Sequence, residues 1–405
     1  MTSIEKQFKN KSLTQFLETL DNDNYFWLVK RLSGNDTGIT GSHQAGIYIP
    51  RQFMEIIVPS IVSKSSLNPT KEIQCFFPSQ DCFKPKIQAK YYNNKYFHKK
   101  DEKKPRNEFR FTQWGGTPLR DIENTGCICI LAYRKNRNKC ILGWVSKDIE
   151  EENLIESWLG KEVEPGQMYL SSRQTETDRC PLLKKIPASW KTSFPSGYEI
   201  FRFIEEQIPQ DNWKKSIDDL LMKRRSEEFK VFSEVEKNDV LPNIKEGFRS
   251  VNDFIKYANS IANRRRSRSG ASLELHLASI FRYEHLDFEA QATTEQRKRP
   301  DFLFPSENDY HNSKFPDTKL HMLASKTCCK DRWRQILSEA NRINKKHLFT
   351  LQEGISEKQL EEMNESGVIL VVPQKNIKWY PREYRSNIMN LTGFVDFIKN
   401  IQKNH

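Results

Sequence analysis

Cysteine, glycine and proline are scarce in this chain, at 8, 16 and 18 of 405 residues, and the patterns they fail to make narrow its chemistry. The cysteines, at positions 75, 82, 127, 129, 140, 180, 328 and 329, contain no Cys-x-x-Cys pair and have no partnering histidine cluster. Neither a zinc site nor a disulfide framework is expected, and the thiols read as reduced. No glycine pattern of the Walker or dinucleotide-binding kind occurs. No apolar run approaches the length of a membrane span, and the opening Met-Thr-Ser-Ile-Glu-Lys-Gln-Phe carries no signal-peptide core. The expectation is a cytoplasmic protein with no membrane partner. Internal repeats and low-complexity tracts are also missing.

What is present is length for two or three domains, each able to bury a core, and an excess of positive charge. The formal net charge is +12, which suits a polyanionic partner. The excess is concentrated. Residues 84–110 hold ten Lys or Arg against Asp101, Glu102 and Glu108, a net +7. Tyr91, Tyr92, Tyr96, Phe97, Phe109 and Phe111 are interleaved with them, a pattern suited to a groove that follows phosphates and presses on sugars or bases. A solvated charged loop fits the composition equally well.

Hydrophobic periodicity predicts an opening helix and strand over residues 11–32, a surface loop over Ser33–Ser42, and a strand over His43–Pro50. Core strands are expected at Cys127–Leu131 and Cys140–Val145, and an acidic helix at Glu150–Leu159. From about Ser171 the chain loses periodicity, which places a first domain at 1–170, a linker at 171–193 and a second domain at 194–405. Helices are expected at Tyr198–Ile208, Ser216–Val235 and Ser250–Ala262. A basic cap, Asn263–Gly270 with Arg265 and Arg268, is expected before a further helix at Ala271–Phe281. Beyond residue 300, strand and helix alternate, with strands at His347–Leu351 and Val368–Val372 around a helical Ser356–Asn364, as in an α/β core with mixed strand directions.

The most informative stretch joins Arg299-Pro300-Asp301-Phe302-Leu303-Phe304, Met322-Leu323-Ala324-Ser325-Lys326 and Lys330–Glu339. Asp301 opens one strand-length apolar run and Lys326 closes another. Phosphodiester cleavage needs Mg²⁺ held by carboxylate oxygens and a cation that orients or activates the attacking water. Asp301 and Glu339 can supply the carboxylates and Lys326 the cation. The second acid of such sites commonly lies two residues before the lysine, where this chain has Ala324. Glu339 is expected to replace it from the middle of a helix that packs through Trp333, Ile336, Leu337, Ala340 and Ile343.

At these residues the chain resembles a known family. Ser-Leu-Glu-Leu-His-Leu (272–277), Arg-Pro-Asp-Phe-Leu-Phe-Pro (299–305), residues 326–337 and His-Leu-Phe-Thr-Leu-Gln-Glu-Gly (347–354) resemble the catalytic half of the EcoRII-type restriction endonucleases. The resemblance implies a PD-(D/E)xK nuclease fold with a migrated glutamate, and Glu274 beside the metal. Ser33–Pro50, Arg106–Arg110, Trp114-Gly115 and Pro118–Gly126 resemble the family's effector domain, a mainly β, B3-like pseudobarrel that binds a second copy of the target. It implies DNA contacts from His43, Tyr48, Lys104, Arg106, Glu108 and Arg110, while Phe109 stands where the family has Lys.

In the nuclease domain the same resemblance makes Arg225 and Phe229 candidates for contacting or replacing a flipped central base. It also implies a homodimer through that domain, and cleavage of CCWGG before the first C. Arg265 and Arg268 are candidates for phosphate contacts. Lys330, Asp331 and Arg332 are candidates for base edges, cations suiting guanine O6 and N7 and a carboxylate suiting cytosine N4. The expectation is a Mg²⁺-dependent type II endonuclease acting on double-stranded DNA at two or more target sites. The alternative is a DNA-binding regulator with an inactive nuclease domain, which would have no need of acids and lysine retained together. A methyltransferase would need a cofactor-binding glycine motif and an Asn/Asp-Pro-Pro-aromatic motif, both missing.

Overall fold

The computed structural model describes residues 8, 11–21, 24–40, 46–62, 65–97, 107–134, 140–159, 163–171, 181–191 and 193–403. Two sheets organise them. The first has eight strands: β1 Tyr25–Arg31, β2 Ile47–Ile49, β3 Thr70–Phe77, β4 Cys82–Tyr92, β5 Glu108–Thr112, β6 Ile128–Arg134, β7 Cys140–Val145 and β8 Met168–Leu170, in the order β2-β5-β4-β3-β7-β6-β1-β8. Only β3 and β7 pair in parallel. Alternate residues point to opposite faces of a strand, and one set from every fully crossing strand meets in a single core. Phe26 and Leu28, Ile47 and Ile49, Ile73 and Phe77, Ile87 and Ala89, Phe109 and Phe111, Cys129 and Leu131, and Ile141 and Val145 all belong to it. A flat sheet cannot bring its edges to one core, so this sheet curls around it. The other set, including Val29, Ile130 and Trp144, packs beneath the helices Leu13–Leu20 and Ile149–Leu159.

Two expectations change here. Tyr91, Phe109 and Phe111 are core residues, Tyr91 stacking on Phe109 with ring centroids 4.2 Å apart, because they fall on the inward side of β4 and β5. They cannot press on a nucleic acid; Tyr96 and Phe97 remain exposed. Ser33–Thr40 is buried instead of forming a surface loop. Ser33 caps a helical turn, Gly34–Thr37, through a reciprocal box with Asp36, and Lys30 pairs with Asp36 at 2.7 Å. The turn is covered by the second half of the chain, where the Gly34 amide donates to the Glu353 carbonyl.

The second sheet contains β9 Glu289–Ala290, β10 Phe302–Phe304, β11 His321–Lys326, β12 Lys346–Thr350 and β13 Val368–Val371, in the order β13-β12-β11-β10-β9. β10 is antiparallel to both neighbours, whereas β11, β12 and β13 are parallel. This is the mixed α/β core expected. Leu303, Met322, Leu348 and Leu370 face Trp333, Ile336 and Leu360. Phe302, Phe304, Leu323 and Phe349 face Leu277 and Phe281 of the helix Val251–Tyr283 and Phe394 of the helix Leu391–Lys403.

The expected basic cap is not a separate element, because residues 251–283 form one helix of 33 residues. Arginine is a good helix former, and the one interior glycine, Gly270, costs only about 1 kcal/mol relative to alanine. Ion pairs to the preceding helix Ile217–Glu246 add support: Arg264 to Asp239 at 2.8 Å and Arg265 to Glu236 at 2.6 Å. The turns Pro181–Lys185 and Ala188–Lys191 lay Leu182 and Trp190 on helices Gly197–Gln207 and Ile217–Glu246, so this part of the expected linker is packed. Among the described residues no helix is long and apolar enough to cross a membrane.

Gly143 tests the packing of the first sheet. A Cβ there would lie 2.1 Å from the Phe77 ring, so Gly143→Ala is expected to destabilise the first domain by about 1–3 kcal/mol. The check is the urea midpoint of the first-domain transition; an unchanged midpoint would mean the ring moves aside freely.

Candidate active site and nucleic-acid interface

The pairing of β10 with β11 builds the first part of the site. Phe302 lies opposite Leu323, so Asp301, one step earlier, arrives opposite Ala324 and beside Ser325. Its Oδ2 accepts from the Ser325 amide at 2.7 Å and the Ser325 hydroxyl at 3.3 Å, and lies 3.3 Å from Lys326 Nζ. Phe281 holds this strand against the long helix, its ring centroid 5.2 Å from Phe302 and 5.6 Å from Phe304. Asp301 and Lys326 thus share one end of two paired strands, as expected.

Glu339 reaches the same place by a different route from the one expected. Residues 330–338 form a 3₁₀ run, and Glu339 follows it in extended conformation, so it does not sit in the middle of an α-helix. Ala340 adopts a left-handed φ of 48° immediately afterwards. Two lysines fix this turn: Lys298 Nζ donates to the Ser338 carbonyl at 3.0 Å, and Lys346 Nζ to the Ala340 and Ile343 carbonyls at 3.0 and 2.7 Å. Trp333, Ile336, Ala340 and Ile343 do fill the core as the spacing predicts. Burial pushes the Glu339 carboxyl above its ordinary range; Lys326 opposes the shift and the charge of Asp301 adds to it.

Glu274 completes the group from the long helix. Burial and the Asp301 charge raise its carboxyl, opposed by Gln291 and Lys326. Gln291 Nε2 donates to Glu274 Oε2 at 3.1 Å and to Asp301 Oδ1 at 3.2 Å. Three carboxyl groups and one ammonium therefore act on one another at the mouth of β10 and β11. Among the described residues no group of three or more acidic, histidine or cysteine side chains is arranged to hold a metal ion. The donor set is nonetheless all oxygen, and like charge crowded by burial is what a hard divalent cation relieves. On that chemistry the residues fit a Mg²⁺ ion. Glu274 and Phe302 also border a cavity of about 900 Å³ whose wall carries Arg264, Arg268 and Arg282.

The expected DNA-contacting residues separate into groups. Arg225 and Arg268 are buried and converge on Glu164 of the first domain, at 3.4 and 2.8 Å. Burial opposes the charge of Glu228 beneath them, but His276, Arg225 and Arg268 outweigh it and hold that carboxyl below its ordinary range. Phe229 packs on the first domain's outer core with Trp27 and Trp158, and the Arg268 guanidinium lies 5.2 Å from its ring. Arg265 stands apart on Glu236. Arg332 is half-buried, and the side chains of Lys330 and Asp331 lie outside those described.

In the first domain, Tyr48 is exposed and pairs in register with Arg110, whose guanidinium donates to Glu108 and to the Gly46 carbonyl, both at 3.0 Å. His43, Lys104 and Arg106 lie outside the described residues. Sequence reasoning missed Ser325, Gln291 and Glu164. Ser325 is adjacent to the lysine and thus within reach of inspection. Gln291 and Glu164 sit in stretches without a motif, and only their distant partners mark them.

Comparison with known proteins matches both halves of the chain. The family described as "Restriction endonuclease EcoRII, N-terminal" covers residues 21–175, and "EcoRII C terminal" covers 232–395. The type II restriction enzyme EcoRII of Escherichia coli is 43% identical over 390 residues, 92% of this chain and 94% of its own length. Metal-depleted Ecl18kI with uncleaved, modified DNA superposes with a TM-score of 0.44 at 19% identity, covering 56% of this chain and 84% of that one. The PspGI–substrate DNA complex gives 0.44 at 16% identity, covering 53% and 96%. The B3 domain of UbaLAI with cognate DNA gives 0.29 at 16% identity, covering 40% and 98%.

The raised carboxyls carry a stability cost with a definite sign. Below the ordinary value of 4.5, Glu274 and Glu339 are protonated in both folded and unfolded chains and cost nothing. As pH rises through that value and then the higher folded one, ionisation favours the unfolded chain, and the cost is complete above the folded value. Without divalent ions, Glu274→Gln is therefore expected to melt at a higher temperature than the native protein at pH 8, with the gap closing near pH 4. Thermal denaturation at the two pH values checks this, and an equal gap at both would mean that shape, not charge, sets the difference.

Proposed function

The chain belongs to the EcoRII family of type II restriction endonucleases, and from that premise we propose that it cuts double-stranded DNA at CCWGG, before the first C, using Mg²⁺ and under the control of a second target site. Its architecture is a mainly β, B3-like DNA-binding domain followed by an α/β restriction-endonuclease-like domain of the PD-(D/E)xK kind.

The convergence of Asp301, Lys326, Glu339 and Glu274 is the observation that carries the catalytic reading. Asp301 and Glu339 would hold the cation, with Glu274 supporting them. When bound, the ion would neutralise charge on the phosphate and lower the pKa of the attacking water. Lys326, 3.3 Å from Asp301, would orient that water or the phosphate oxygen. Ser325 keeps Asp301 turned toward the lysine. Lys330, Asp331 and Arg332 would read base edges, and Arg225 and Phe229 the central pair.

Control by a second site is supported by the contacts of the DNA-facing residues. Arg225, Arg268 and Phe229 are turned onto the first domain, where Glu164 supplies both arginines with a negative charge. Gly34 fits so closely under the Trp379 carbonyl that a Cβ would lie 2.2 Å from it. DNA bound to the first domain through Tyr48, Glu108, Arg110, His43, Lys104 and Arg106 would favour a state in which this interface opens. A homodimer through the second domain has a candidate surface in the exposed Leu241, Ile244, Val251, Phe254 and Ile255, at the tip of the two long helices.

Asp301→Asn, Lys326→Ala and Glu339→Ala should each lower plasmid cleavage by roughly a thousandfold or more, the several kcal/mol that metal-ion catalysis supplies, while target binding persists. Chelation with EDTA should match them. Near-normal cutting by Glu339→Ala would remove it from the metal site, and cutting by no form of the protein would favour the DNA-binding regulator. Sequencing the cut ends tests CCWGG directly.

For control, a one-site plasmid should be cut slowly and added target oligonucleotide should accelerate it. Glu164→Ala should raise the unstimulated rate by about tenfold, as a shift of about 1.4 kcal/mol toward the open state would do. A fragment from Ser189 to His405 should need no stimulation. Equal one-site and two-site rates in the full chain would end the control reading and leave the nuclease reading intact.

A further inference from the structure

Gln291 is drawn into the acid cluster by its backbone as well as its side chain. It follows β9 with φ of 56°, a left-handed conformation uncommon for a side chain of this kind. Its amide nitrogen donates to the Asp301 carbonyl at 3.1 Å, which ties the turn to the residue it serves. That turn aims the carboxamide between two acids on different elements, Glu274 on the long helix and Asp301 ahead of β10. One NH₂ group has two N–H bonds, so a single neutral donor satisfies one oxygen of each acid. A second charged donor beside Lys326 would leave less negative charge for a cation, and an apolar residue would leave two like charges facing each other.

We propose that Gln291 is a positioning residue for the metal-binding acids, holding Glu274 and Asp301 at a common spacing in the metal-free protein and yielding to a divalent cation that takes their charge. The assignment rests on the metal-dependent nuclease reading above. The neutral amide is the feature that matters, because its bonds hold the carboxylates in place yet are weak enough to exchange for coordination to an ion. The residue acts through the acids and touches no reacting atom.

The left-handed backbone supplies a clean test. Gln291→Gly removes the side chain while keeping a conformation that glycine adopts freely. Gln291→Glu keeps the size, removes the donor and adds a fourth carboxyl group to the cluster. The full-length protein and both variants are compared by melting temperature across a Mg²⁺ series and by the Mg²⁺ concentration giving half-maximal plasmid cleavage. For Gln291→Gly the half-maximal concentration should rise roughly tenfold to a hundredfold, the usual effect of losing a group that orients ligands, with a smaller Mg²⁺-induced rise in melting temperature. Gln291→Glu should melt lower than the native protein without metal and show a larger rise with it. A purely structural role would lower melting in both variants and leave the metal response alike.

If the native protein responds to Mg²⁺ and both variants respond identically to it, the positioning role is overturned while the nuclease reading stands. If the native protein shows neither response, the metal-dependent reading falls, and this inference with it.

Discussion

A charge taken out of water costs several kcal/mol unless a partner of opposite sign or a set of hydrogen bonds meets it. That constraint links two clusters of charged side chains in this chain. At the ends of β10 and β11, Asp301 is met by Lys326 and the Ser325 amide, whereas Glu274 and Glu339 are pushed upward by burial and the Asp301 charge. The group thus holds three carboxyl groups against one ammonium. Phe281, wedged against Phe302 and Phe304, prevents the acids from relaxing apart by movement of the helix.

The same constraint operates between the domains with the signs reversed. Arg225 and Arg268 are cations in a buried setting, and Glu164 and Glu228 meet them. Buried guanidinium groups cannot remain unpaired inside a folded protein. The Glu164 partner belongs to the other domain, so these ion pairs depend on how the two domains are packed. The packing of Phe229 against the first domain's outer core gives the contact an apolar component as well. The acid cluster at one end of the second sheet and the ion pairs between the domains thereby obey one electrostatic rule.

Much of the architecture was legible in the sequence because it depends on neighbours in the chain. Ser12 and Gln15 close a capping box on the helix Leu13–Leu20, and short continuous apolar runs mark β6 and β7. Where the reading changed, a distant contact had overridden the local signal. Ser33–Thr40 has the composition of a loop but is covered by Glu353 and Trp379. The arginines at 264 and 265 resemble an exposed cap but bind Asp239 and Glu236 on a neighbouring helix. The turn at Glu339 depends on Lys298 and Lys346, from opposite directions along the chain.

By itself, then, the sequence determined which chemical groups were available and in what order: Asp301 before Lys326 before Glu339, a basic first domain, and no alternative cofactor motif. Their order carries the resemblance, because residue type and spacing survive translation into a string. Tertiary structure decided which groups share a dielectric environment. It placed Gln291 between Glu274 and Asp301 and Glu164 against Arg225 and Arg268. Hydrogen bonds and Coulomb forces act over a few ångströms of space, whatever the separation along the chain, so these relations exist only after the sheets have formed.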